Sequence, residues 1–244
     1  MGFSKTQQII LSVTQKIPAF LSVIGTSMII SSVVQSSKNR SNPQQRIVAA
    51  MSFFDLLVSV TWLTTNLWMP KGYKDFPGLG NAQSCTAQGF IVQLSTASLL
   101  YNACLSLYYL FVVKFDWRER KIRNAERIFH GLCLTFGFVS ASVPTALGLM
   151  HPANWDCWIN SNFELVDEKT GKTTDPNDEL ARHLQLTIFY IPLWVSFVVS
   201  AMCILIIYWT VRKCEQKTLR YSVHATITST STSTSTTTTT TTTT

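Results

Sequence analysis

Two cysteines stand at the polar edges of apolar runs, Cys85 in "NAQSCTAQGF" and Cys157 in "HPANWDCWIN", and the chemistry open to such a pair is a disulfide. The other four, Cys104, Cys133, Cys203 and Cys214, lie in or beside apolar runs, where cysteine behaves as a small buried hydrophobe. There is no C-x-x-C pair, and no cysteine spacing with His130, His151, His183 or His224 builds a zinc site, so no metal is expected. The chain also has no HExxH, no glycine-rich phosphate loop, no nucleophile beside a base and no paired carboxylates at helical spacing within the apolar runs. We therefore expect neither an enzyme nor a cofactor.

Recognition is a better prospect. Asp55 sits in "MSFFDLLVSV", and an ionisable residue inside so apolar a segment normally faces a bundle interior or a water-filled cavity. It reads either as an interior polar switch or as a structural carboxylate held by hydroxyls. Ser95, Ser98, Asn102 and Ser106 recur at steps of three, four and four, which sets them on one helix face for close packing or interhelical hydrogen bonds. Gln88 and Gln93, with Trp155 and Trp158, offer donors, acceptors and aromatic walls for an extracellular ligand pocket. Gly131, Thr135, Phe138 and Ser142 follow similar steps and point to a packing seam.

The elements that must position these groups are membrane helices. In 244 residues, 46% are hydrophobic and only 14% charged, the mean hydropathy is +0.19, and five apolar stretches are long enough to span a hydrocarbon core that needs about 20 helical residues. They lie at about 9–34, 47–69, 86–113, 128–150 and 184–211. No sustained period-two alternation supports a barrel, so the expected fold is an all-α transmembrane bundle over residues 1–213. Lys16 interrupts the first stretch; without an A-x-A-like cleavage site after it, we read an uncleaved helix whose lysine snorkels to the surface. Residues 214–244 end in "ATITSTSTSTSTTTTTTTTT", too poor in apolar side chains to bury, and are expected to form a disordered cytoplasmic tail.

Charge sets the orientation. The loops after the first and third stretches and the tail hold 13 Lys and Arg, against 6 on the other side, so the N-terminus lies outside. The net charge of +7 thus reflects topology and calls for no nucleic-acid partner. Cys85 and Cys157 both fall on the oxidising side, 72 residues apart, and a bridge between them would stabilise the fold by about 4 kcal/mol on the chain-entropy estimate. Two free thiols are the alternative.

The ordered set "SFFDLL", "CTAQGF", "YNACLSLYYL" and "WDCWI", with an exterior N-terminus and basic inner loops, resembles the seven-helix G-protein-coupled receptors over residues 47–213. Within them it is similar to the cyclic-AMP-receptor-like and family 2 (secretin-like) group; "VVKFDWRERK" does not reproduce the D-R-Y triplet of the rhodopsin-like branch. The resemblance implies five of the seven helices, a chain shortened after the fifth, and a plasma-membrane receptor that senses an extracellular ligand. It strengthens the switch reading of Asp55. It also makes Lys114, Arg118, Arg120, Lys121, Arg123 and Arg127 a contact surface for a heterotrimeric G protein, where the residues alone indicate attraction to anionic lipid and topology setting. A receptor dimer is a further implied partner. Other readings are a small transporter or channel subunit, although no internal repeat is visible, and a dominant-negative partner of a full-length receptor.

Overall fold

The computed structural model describes residues 5–73, 78–153, 155–160 and 176–234. Helix α1 (Lys5–Gln35) carries Pro18 within it, and the short α2 (Ser37–Ser41) is capped by Ser36. Helix α3 (Pro43–Leu63) starts where a capping residue and a proline coincide: the Asn42 side chain accepts from the Gln44 N–H, and Pro43 occupies the first turn, where no backbone donor is needed. A single turn, α4 (Thr65–Trp68), follows. Helix α5 (Ala82–Leu94) opens with a reciprocal cap between Asn81 and Ser84. Ser95 joins it to α6 (Thr96–Val113). Helix α7 (Glu119–Ala146) precedes a two-stranded antiparallel hairpin, β1 (Met150–Ala153) and β2 (Asp156–Ile159), with Met150 opposite Ile159 and Pro152 opposite Cys157. Helix α8 (Asp178–Gln185), a π-helical turn (Leu186–Tyr190) and α9 (Ile191–Thr234) run on as one continuous path.

Five helices or helix pairs are long and apolar enough to cross a membrane: Val13–Gln35, Pro43–Leu63, Ala82–Val113, Glu119–Ala146 and Asp178–Thr218. The all-α membrane bundle expected from hydropathy is thus the architecture of the chain. Helix boundaries differ from the hydropathy windows where capping and backbone geometry override composition. The second span ends at Leu63 instead of 69, the third divides at Ser95, and α7 starts at Glu119, more than two turns inside the basic segment. The backbone of α9 continues to Thr234, into the tail expected to be disordered, since propagating a formed helix needs no new nucleus. Residues 235–244 lie outside the described set.

Helix α1 lies along α3, and α6 packs against α3, α7 and α9, while the hairpin rests on α5. The core is a cluster across α3, α5, α6 and α7 that includes Ile47, Phe54, Ala97, Tyr101, Cys104, Phe129 and Cys133. Gly137 sets the approach of α7: a Cβ there would sit 2.8 Å from the Ala97 Cβ. The seam is therefore Glu126, Phe129, Cys133, Gly137, Ser140, Ala141 and Pro144, all buried. The expected seam of Gly131, Thr135, Phe138 and Ser142 is exposed. Lipid is as apolar as leucine, so Phe138 loses nothing by facing it, and apolar spacing alone does not tell inside from outside.

Candidate functional site

The outer end of the bundle is built around the hairpin. Cys157 on β2 forms a disulfide with Cys85 on α5, with the Cα atoms 5.2 Å apart. Side chains secure the strand further. The Cys157 N–H donates to Gln88 Oε1 at 3.1 Å, Gln88 Nε2 donates to Thr65 Oγ1 at 3.2 Å, and Thr65 Oγ1 donates to the Trp155 carbonyl at 2.8 Å. Trp158 Nε1 donates to Gln93 Oε1 at 2.8 Å, and Gln185 Nε2 on α8 donates to the Ile159 carbonyl. Gly89 admits Met150 against α5, since a Cβ there would meet the methionine sulfur at 2.7 Å.

Beneath the hairpin lies a cavity of about 640 Å³, bounded by α1, α3, the joint of α5 and α6, and the turn after α8. Trp155 and Trp158, on the hairpin, line it. Gln88 and Gln93, expected beside them, do not line it: both are fully buried and their side-chain oxygens are occupied in holding the hairpin. Trp62, Asp156, Phe189 and Tyr190 also line it, and sequence spacing had singled out none of them. The aromatic character of the outer helix end and of "IFY" hinted at Trp62, Phe189 and Tyr190. The Trp158 ring meets Phe189 edge-on at 5.0 Å between centroids.

Asp55 lies at the floor, where Ser98 Oγ donates to its Oδ1 at 2.6 Å and ties α6 to α3. Ser59 Oγ donates to Ser22 Oγ at 2.9 Å, tying α3 to α1 at the same level. Ser95 and Ser98 line the cavity; Asn102 on the same face is exposed, and Ser106 donates back to the Asn102 carbonyl at 3.1 Å. The row of polar residues therefore splits: Ser95 and Ser98 face the cavity, whereas Asn102 is exposed and Ser106 half-buried. Outside the spans, burial pushes the Asp156 carboxyl up to about 7, with the nearby Trp62 indole N–H and its own backbone N–H pulling the other way.

At the inner end Glu126 is 4% exposed and accepts from Arg46 through both oxygens, at 2.5 Å from Nε and 2.6 Å from Nη2. His130 Nε2 stands 3.7 Å from the same carboxylate, and its Nδ1 is 2.9 Å from the Tyr101 hydroxyl. The network spans α3, α7 and α6. Its signal in the sequence was an acid at the end of a largely basic segment, with a histidine four residues on. Lys114, Arg118, Arg120, Lys121, Arg123 and Arg127 are all exposed beside it, and Arg123 pairs with Glu119 at 2.5 Å. Among the described residues, no group of three or more His, Cys, Asp or Glu is placed to hold a metal.

A model of the slime mold cyclic AMP receptor family matches residues 3–171, more than half of the chain and everything from α1 through the hairpin. The chain belongs to that family. No curated protein matches it. As a member of the cyclic AMP receptor family it is a membrane receptor and not an enzyme, a multi-pass protein of the plasma membrane. The disulfide, Asp55 and the Arg46–Glu126 pair all lie within the matched residues.

Proposed function

We propose that the protein senses an extracellular small molecule in the cavity under the hairpin and passes the signal to a heterotrimeric G protein at its inner face. The observation that carries this reading is a disulfide-anchored hairpin roofing a cavity of about 640 Å³ in a chain of a receptor family. Trp155 and Trp158 contact the ligand from above. Asp55, with Ser95 and Ser98, is the polar floor whose hydrogen bond between α3 and α6 rearranges when the ligand favours one helix arrangement. Lys114, Arg118, Arg120, Lys121, Arg123 and Arg127 form the transducer contact. Of the two groups in the resemblance we retain the cyclic AMP receptors, because the family match supports that one.

The test is guanine-nucleotide exchange in membranes containing the protein, a heterotrimeric G protein and a ligand panel that includes cyclic AMP. The arms are the native chain and a version extended by two apolar spans, which addresses the seven-helix reading. We expect ligand-dependent exchange that K121E/R123E reduces at least tenfold while ligand binding is kept. Silence of both versions across the panel overturns the signalling reading.

A further inference from the structure

Four of the cysteines are free: Cys104, Cys133 and Cys203 are buried and Cys214 is exposed. The Sγ atoms of Cys104 on α6 and Cys133 on α7 stand 3.7 Å apart in hydrogen-bond contact, both inside the core cluster. The seam around them is close-packed. Ala97 meets Gly137 outward of the pair, and Thr96 Oγ1 is 3.0 Å from Ser140 Oγ. One turn along each helix from the cysteines, the Tyr101 hydroxyl is 2.9 Å from His130 Nδ1. Cys104 lies about 13 Å of helix from the inner end of α6 at Val113, so the two sulfurs meet within the bilayer. Among the described residues no third His, Cys, Asp or Glu completes a metal site with them, and the chemistry open to two thiols in contact is oxidation.

We propose that Cys104 and Cys133 are an oxidisable pair that a peroxide converts into a second disulfide, fastening α6 to α7. Hydrogen peroxide is small and uncharged and enters the bilayer. One thiol sulfur takes an oxygen from it as the O–O bond breaks, the thiol proton leaving with the other oxygen as water, and becomes a sulfenic acid. The second sulfur then displaces that oxygen, which leaves as a second water with the second thiol proton. In total the thiols lose two electrons and two protons, and the peroxide is reduced to two waters. The first step is slow, because a thiol in apolar surroundings is a poor nucleophile. The second is fast, because the neighbouring sulfur is already in contact and needs to close by about 1.7 Å to reach bonding distance. Reduction requires an incoming thiolate, and a charge at that depth is costly, so the bridge persists once made. Helix α6 carries the Ser98 hydroxyl that meets Asp55, and α7 carries the Glu126 carboxylate that meets Arg46. The bridge therefore couples the cavity floor to the inner ion pair.

The experiment treats the full chain in lipid nanodiscs with hydrogen peroxide, denatures it in an alkylating reagent and maps the peptides by mass spectrometry. Complete oxidation of the exposed Cys214 shows that the oxidant was sufficient. We expect a peptide joining Cys104 to Cys133, lighter by two hydrogens and at least tenfold more abundant than any other new disulfide, together with a rise in melting temperature. C104S and C133S should each abolish both signals, while C203S keeps both. A pair recovered already bridged before the oxidant is added supports the proposal equally. Both thiols still open to alkylation once Cys214 is oxidised, either one carried to sulfinic acid with no bridged peptide, or pairing with Cys203 or Cys214 instead overturns it.

Discussion

Arg46 on α3 grips both carboxylate oxygens of Glu126 on α7 in a two-point ion pair, and Arg46 Nη1 donates to the carbonyls of Arg40 and Ser41 at 2.8 and 3.1 Å. One side chain thus joins the inner ends of two spans to the short helix α2 between α1 and α3. Removing one partner leaves a buried charge uncompensated, while removing both does not. E126A should cost about 2–3 kcal/mol, less than the figure for a fully buried pair because the Arg46 side chain is 35% exposed. R46A should behave alike, and the double variant should be more stable than the sum of the single losses predicts. R46K keeps the charge but loses the fork and should fall between. Thermal unfolding in detergent measures all four; strict additivity would show that the two groups act separately.

The bridge between Cys85 and Cys157 encloses 72 residues of chain, so its loss frees a long loop in the unfolded state. C85S, C157S and the double variant should each lose about 4 kcal/mol, with no further loss in the double. Treating the native protein with a thiol reductant should lower its melting temperature to match. A native protein indifferent to reductant would contradict a stabilising role.

Asp156 gives stability a pH dependence of definite sign. Its folded-state value of about 7 lies above that of an unfolded aspartate, so the folded chain holds this proton over an interval in which the unfolded chain has released it. The contribution is complete below about pH 4 and is lost as pH rises through about 7. Melting temperature should therefore decline from pH 5 to pH 8. D156N should flatten the profile, and a native-like slope in that variant would assign the effect to another group.

Gly137 and Gly131 lie six residues apart on α7 and should respond oppositely to alanine. At Gly137 the new methyl would fall 2.8 Å from the Ala97 Cβ, forcing the helices apart at a cost of about 1–3 kcal/mol. At Gly131 nothing stands within 4 Å, and alanine should be neutral or stabilise by up to about 1 kcal/mol through helix propensity. Unfolding of the two variants side by side decides it. Equal losses would place both glycines in contact.

Hydropathy and charge determined what the bilayer reads one segment at a time: five spans, their direction, and the presence of Cys85 and Cys157 on the same side. A membrane sorts residues by transfer free energy along the chain, and that quantity needs no partner helix. Asp55 was legible for the same reason, because a charge in an apolar run must face inward. Which face of each helix meets its neighbours is a different kind of fact. Surrounded by lipid, an outward leucine and an inward one cost nearly the same, and packing is decided by steric fit and hydrogen bonding between segments far apart in sequence. Only the folded bundle could therefore place Gly137 rather than Gly131 in the seam, commit Gln88 and Gln93 to the hairpin rather than the cavity, and bring Glu126 to Arg46 across eighty residues of chain.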